Sequence, residues 1–298
     1  MKAFVTGASG FVGQAVCAEL IARGHEVTAL VRRPGSEPEG TTAATGDLSH
    51  TDPLDRALTQ AEPDWIFHLA AEIATQRDEH KIDEINVHGT SRLLGACQAA
   101  GGARLVFMSS VVTGDAGGAL LDESSDLPVQ TAYGRSKQRG ERLVRESGLA
   151  SVIIRPSHIY GAGGWYAAEM VKRLRAPGRF VVIGSGENWW DVVRVEDVAT
   201  ACVDAAERGP DDAVYHVVDD EPITQYDFVA LTAEALGVGK PRRVSPWLAR
   251  RVAGADPVSA VVRSARSSNQ HLKDELDWKP RFPSAKQGVP DAIAHLPA

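Results

Sequence analysis

An α/β fold with a doubly wound parallel sheet and a smaller C-terminal domain is predicted by three observations. Short apolar runs alternate with helical stretches through the first half of the 298 residues. Those runs are continuously apolar, the pattern of strands covered on both faces. A glycine-rich turn, Thr6-Gly7-Ala8-Ser9-Gly10-Phe11-Val12-Gly13, joins the first strand to the first helix.

The elements follow in order. Ala3–Thr6 reads as a strand, Gln14–Arg23 as a helix and Glu26–Val31 as a second strand. Thr41–Ala44 is a weak third strand, Pro53–Ala61 a helix and Trp65–Leu69 a strand. Ile82–Ala100 reads as one long helix ended by Gly101-Gly102, and Arg104–Ser109 as a strand. Thr131–Ser147 is helical and Ser151–Arg155 is a strand. After Arg155 the pattern loosens. Pro156–Trp165 reads as a loop, Ala167–Arg175 as a helix, and Val193–Ala206 as a helix behind a short strand. Val214–Val218 is a strand and Gln225–Leu236 a helix. From Ser245 the tail reads as mostly helical, with breaks at Pro246, Pro257, Pro280 and Pro283. The expected division is 1–155 with about 190–218 as one domain and the rest of 156–298 as a discontinuous second.

The net charge of -7 argues against nucleic acid or an anionic membrane as the main partner. No apolar run approaches the roughly 20 residues of a membrane-spanning helix. Cys17, Cys97 and Cys202 are far apart and lack metal-ligand spacing, so no metal site is expected. Buried thiols and the missing signal-peptide pattern predict a cytoplasmic protein.

The glycine turn sits where such a pattern has mechanical meaning. Gly7 permits the tight turn, Gly10 lets the backbone approach a pyrophosphate, and Gly13 lets the helix pack on the strand. The helix start, at Phe11 and Val12, then offers free N–H groups to phosphate oxygens. A Rossmann-type dinucleotide site follows. Further motifs stand in order: Gly46-Asp47-Leu48, His68-Leu69-Ala70-Ala71, Asn86-Val87-His88-Gly89-Thr90, Tyr133-Gly134-Arg135-Ser136-Lys137 and Arg155-Pro156-Ser157-His158-Ile159-Tyr160-Gly161. Val195-Glu196-Asp197-Val198-Ala199 and Glu275-Leu276-Asp277-Trp278-Lys279-Pro280 complete the set. Over nearly its whole length the chain resembles the extended short-chain dehydrogenases/reductases of the NAD-dependent epimerase/dehydratase family. The resemblance implies that Asp47 and Leu48 lie beside the adenine. It implies that Leu69, Ala70, Ala71, Pro156 and Ile159 line the cofactor. It also implies a homodimer formed through Ile82–Ala100 and Thr131–Ser147.

A NAD enzyme usually ends its second strand on an acid that holds the ribose 2′-hydroxyl. Here Leu30-Val31 runs into Arg32-Arg33, with no acid. Arg32 favours a 2′-phosphate, with Ser9 as helper, so NADP(H) is expected over NAD(H).

Tyr133 and Lys137 are four residues apart on a helix and share a face. Lys137 and a nicotinamide's charge together are expected to lower the tyrosine pKa, so that it exchanges a proton with a substrate oxygen. The resemblance also gives Lys137 the nicotinamide ribose. Met108-Ser109-Ser110 ends the fifth strand, where open α/β sheets put their chemistry. The resemblance places Ser110 on the reacting oxygen, while the register against Ser109 stays open by one residue.

Two departures bear on the substrate. Sugar dehydratases of the family carry an Asp-Glu pair where this chain has Val111-Val112, so dehydration is not expected. Nucleotide-sugar enzymes usually carry an Arg before Asp191, where this chain has Trp190. A Trp cannot neutralise a diphosphate but can cover an apolar ring. Trp165 could add to that surface; core packing is the competing reading of each aromatic. His158 reads as a hydrogen-bonding wall rather than a second acid/base. The expected activity is reduction of a ketone or aldehyde, or oxidation of a secondary alcohol. The alternatives are a nucleotide-sugar 4-epimerase or 4-reductase, and, last, a cofactor-sensing protein without turnover.

Overall fold

The computed structural model describes all residues except 74, 177–180, 254–257, 259–260 and 298. Its centre is a seven-stranded parallel sheet. β1 (Lys2–Thr6), β2 (Glu26–Val31), β3 (Thr42–Thr45), β4 (Trp65–His68), β5 (Arg104–Met108) and β6 (Ser151–Pro156) belong to it. β7 (His158–Tyr160) and β8 (Val192–Arg194) pair with each other outside it, and β9 (Val214–Val217) returns to its edge. The strand order is β9-β6-β5-β4-β1-β2-β3. Val5 lies opposite Ala29 on one side and Phe67 on the other. The winding therefore reverses between β1 and β4. Open α/β sheets bind ligands in the crevice above such a point.

Successive residues of a strand face opposite sides, and both sides are covered. Val5 and Val106 pack with Val16 and Leu20 of α1 (Phe11–Ala22) and Val198 and Cys202 of α5 (Val195–Arg208). Phe4 and Phe107 pack on the other face. Their partners come from α2 (Thr51–Ala61), α3 (Gly89–Ala99) and α4 (Ala132–Glu146). A third core gathers Tyr160, Tyr166, Met170, Trp190, Phe228 and Val289. It is built on α6 (Gln225–Ala235) and, after α7 (Gln270–Leu276), on α8 (Ala285–Ala294). All three cysteines are buried and unpaired. No helix among the described residues is long and apolar enough to cross a membrane.

The structure corrects four element readings. The expected helix Ile82–Ala100 is a short helix, Glu79–Asp83, then a π-helical turn, Glu84–His88, then α3. Asn86 lies in that turn, buried and fully bonded. The expected loop Pro156–Trp165 contains β7, whose three residues are too few to show a period. The expected helix Ala167–Arg175 is a π-helical turn, Tyr166–Val171, running into Lys172–Arg175. The tail includes a short strand, Arg266–Ser267, and another, Arg242–Val244, stands just before it. Pro257 lies outside the described residues.

Candidate active site

The turn after β1 needs its glycines. Gly7 has φ +72°, and a Cβ there would stand 2.7 Å from the backbone nitrogen of Ala70. A Cβ on Gly13 would collide with the Gly7 carbonyl. The end of β1 is thereby pressed against Leu69 and Ala70 at the end of β4. No side chain caps α1 at Gly10, so the N–H groups of its first turn stay free. Ser9 and Gly10 are exposed, and Phe11 and Val12 half-buried. A glycine-framed helix start at the switch point fits a pyrophosphate.

A proton chain fixes the floor of this crevice. Thr90 Oγ1 donates to the Asn86 carbonyl at 2.8 Å. His68 Nε2 therefore donates to Thr90 Oγ1 at 2.9 Å, which leaves His68 Nδ1 to accept from Thr6 Oγ1 at 2.8 Å. Burial, with the Lys137 charge, holds His68 down at about 3 and so neutral. Asn86 closes the next link. Its amide donates to the Glu72 carbonyl and to Ser136 Oγ of α4, both at 2.9 Å.

α4 carries Tyr133 and Lys137 to the end of β5. Its glycines allow the approach: a Cβ on Gly140 would lie 2.6 Å from the Phe107 ring. The Ser110 hydroxyl lies close enough to Tyr133 to favour its ionised form. Ser110 Oγ donates to the Pro156 carbonyl at 3.3 Å and accepts from Val112 N at 2.9 Å. Ser109 turns away and donates to Glu141 Oε1 at 2.6 Å. Arg155 grips the same carboxylate through Nε and Nη2, at 2.8 and 2.7 Å. Burial alone would raise the Glu141 carboxyl, but Arg155 holds it below its ordinary value. With Ser109 held by Glu141, Ser110 is the serine whose hydroxyl acts on Tyr133.

Tyr133 is half-buried as a residue, yet its hydroxyl is desolvated. Burial pushes the phenol up to about 12, and the neighbouring Ser110 hydroxyl pulls the other way. Burial also pulls Lys137 down to about 8, against the Glu141 charge. Lys137 Nζ donates to the Met108 carbonyl at 2.8 Å and stands 5.9 Å from the Tyr133 ring centre. Without the dinucleotide's charge, burial outweighs Ser110 and leaves the phenol raised. Desolvation acts on the hydroxyl directly, whereas the ammonium is aimed at a carbonyl.

A second group is aromatic. His158 stacks on Trp190 at 4.6 Å and 16°. Its Nδ1 donates to the Asp191 carbonyl at 3.0 Å, and burial with the Arg263 charge holds it neutral at about 3. Trp165 stands edge-on to both and donates to the Ile159 carbonyl at 2.7 Å. Trp190 is 5% exposed and belongs to the third core, its Nε1 donating to the Val261 carbonyl. Val111 is buried, with its N–H on the Pro156 carbonyl.

The remaining candidates are spread along the crevice. Arg32 is exposed at the end of β2 and has no partner among the described residues. Asp47 accepts from Ser49 N at 2.7 Å, and Leu48 is buried below it. Ala71 is half-buried beyond β4. Sequence reasoning did not single out Arg263. It is buried in a tail with several arginines, and nothing in its spacing marks it.

Fold and crevice together define a dinucleotide-binding enzyme of the oxidoreductase class, an extended short-chain dehydrogenase/reductase. The chain belongs to the NAD dependent epimerase/dehydratase family, whose model matches residues 3–218. It is 30% identical to a 3-diazoavenalumate denitrifying reductase of Streptomyces, over 97% of this chain and 99% of that one. It is 31% identical to a 4-hydroxy-2-methyl-3-oxo-4-farnesyl-3,4-dihydroquinoline-1-oxide ketoreductase of Stigmatella aurantiaca, covering 90% of this chain and 84% of the other. Among solved structures it resembles MoeE5 in complex with UDP-glucuronic acid and NAD. That likeness has a TM-score of 0.84 and 26% identity, with 99% and 98% of the two chains covered.

Proposed function

We propose that the chain is an NADP(H)-dependent ketone or aldehyde reductase, or secondary-alcohol dehydrogenase, acting through Ser110, Tyr133 and Lys137. The placement of Tyr133 and Lys137 at the end of β5 carries the reading, with Lys137 Nζ on the Met108 carbonyl and 5.9 Å from the Tyr133 ring centre. A substrate oxygen there would accept from Tyr133, and from Ser110 once its hydroxyl turns from the Pro156 carbonyl. A bound nicotinamide supplies or accepts the hydride. A phenol held near 12 is fully protonated at neutral pH. Tyr133 is therefore set as the acid that protonates the developing alkoxide, the direction of reduction. Lys137, charged below about 8, then stabilises the phenolate left behind. His158 is neutral with Nδ1 engaged, so it serves as a wall.

Residues 1–155 with about 190–218 hold the dinucleotide on this reading, and the rest of 156–298 shapes the substrate side. Gly7, Gly10, Phe11 and Val12 would take the pyrophosphate. Unpaired Arg32, with Ser9, would take a 2′-phosphate. Ala70, Ala71, Pro156 and Ile159 would border the nicotinamide half. The helices α3 and α4 would form a homodimer interface, and the free thiols suit the cytoplasm. The names of the two reductase relatives support reduction of a carbonyl or a related group.

The nucleotide-sugar reading is favoured by the MoeE5 likeness, but Trp190 in place of the diphosphate-facing Arg opposes it. A steady-state panel separates the two. Bulky apolar or aromatic ketones and aldehydes should be reduced with NADPH, and UDP-galactose and TDP-glucose left unchanged. Efficient epimerisation with inert carbonyl compounds would transfer the site to the nucleotide-sugar reading.

A further inference from the structure

We propose that Arg263 anchors a carboxylate on the substrate, so that oxo acids are preferred to neutral ketones. The proposal rests on the reductase reading of the same site.

Arg263 is 2% exposed. Nη1 makes only long contacts to neutral carbonyls, Val111 at 3.3 Å and Gly114 at 3.4 Å. Nε and Nη2 are buried and make no hydrogen bond. A guanidinium cannot shed its charge, and an unpaired buried charge costs several kcal/mol. Such a group calls for a partner. None of the described acids supplies one. Asp115 Oδ1 accepts from Gly117 N and Ser264 N, both at 2.9 Å. Asp191 acts on Arg263 only through its field, and its own buried Oδ2 has no hydrogen-bond partner.

Its position ties it to the reacting centre. Val111 directly follows Ser110, whose hydroxyl acts on Tyr133. On the other side the Arg263 charge reaches His158, which stacks on Trp190. The guanidinium stands between the catalytic serine's loop and the apolar wall.

The free atoms are informative. Nε and Nη2 share one edge of the guanidinium, the side-on fork that matches two carboxylate oxygens. Arg155 uses this edge on Glu141 at 2.8 and 2.7 Å. Arg194 uses it on Glu196 at 2.9 and 2.9 Å. In Arg263 the same edge is unused. One fork and one charge suit a carboxylate. A diphosphate calls for more, and the neighbouring Arg266 is engaged with the Gly118 carbonyl and the Trp189 ring.

The test compares a 3-oxoalkanoate with its methyl ester under the reduced dinucleotide. The wild type should favour the acid by at least roughly tenfold in kcat/KM, chiefly through KM. Arg263→Met should bring the acid-to-ester ratio close to one, and Arg263→Lys should keep part of it. A second arm titrates the acid calorimetrically into enzyme saturated with oxidised dinucleotide, where no hydride can move. Binding should be lost in Arg263→Met. Equal use of acid and ester by the wild type would overturn the proposal without any variant. So would a preference that survives Arg263→Met, or displacement of the acid by a more tightly bound nucleoside diphosphate. An acid bound through Arg263 yet never reduced would sink the reductase reading and leave the anchor standing. Reduction of neutral ketones with no gain from a carboxylate would sink the anchor alone.

Discussion

Burial acts on Tyr133 and Lys137 in opposite senses, raising the phenol to about 12 and lowering the ammonium to about 8. Both shifts favour the neutral form, as removal from water must. Arg32 lies at the other end of the crevice, exposed and without a fixed partner. A surface arginine gains most from a ligand that offers it two oxygens. Arg32→Asp should therefore reverse or erase the preference for NADP(H). Titration calorimetry with both dinucleotides checks this, and ten-fold tighter wild-type binding of NAD(H) would refute it. The spacing of Tyr133 and Lys137 was readable because four residues return a helix to the same face. The choice between Ser109 and Ser110 was not. It depends on Glu141 and Arg155, distant in sequence, which take Ser109 out of the crevice. Arg263 was equally hidden, since its environment comes from β8, the loop after β5 and its own tail segment.

The elements that shape the crevice were legible where a period had room to show. α1, α4 and the strands of the sheet are long or uniformly apolar, and their places in the sequence match their places in the fold. β7, three residues long, was too short to read in that way, and the short strand read ahead of Val193 is β8, which runs on to Arg194. Their pairing decides where His158 and Ile159 stand. The π-helical turn at Glu84–His88 was also silent, because one extra residue per turn leaves the apolar pattern almost unchanged. Glycines show where elements meet closely. Phe11, at the start of α1, packs on the loop after β7, and a Cβ on Gly163 would lie 2.9 Å from its ring. The dinucleotide turn and the substrate loop are thereby in direct contact.

At the scale of the molecule, buried neutral histidines link stability to pH. His216 is fully buried, and neither ring nitrogen has a hydrogen-bond partner. Burial, with the Arg155 charge, lowers it from 6.5 to about 4. The unfolded chain then binds the extra proton first. The contribution is full above 6.5 and is lost as pH falls toward 4. Replacing the unpartnered ring by an apolar one removes that loss. His216→Phe should match the wild type at pH 7.5 and exceed it by about 2 kcal/mol at pH 5. Denaturant melts at the two pH values measure it, and a difference independent of pH would contradict the assignment. The account as a whole turns on the proton path through Tyr133. The most direct test pairs dinucleotide binding with turnover in Tyr133→Phe. The account predicts wild-type affinity for the dinucleotide and a kcat lower by roughly three orders of magnitude or more on the best carbonyl substrate. A Tyr133→Phe enzyme that binds the dinucleotide and keeps a near wild-type kcat would contradict it.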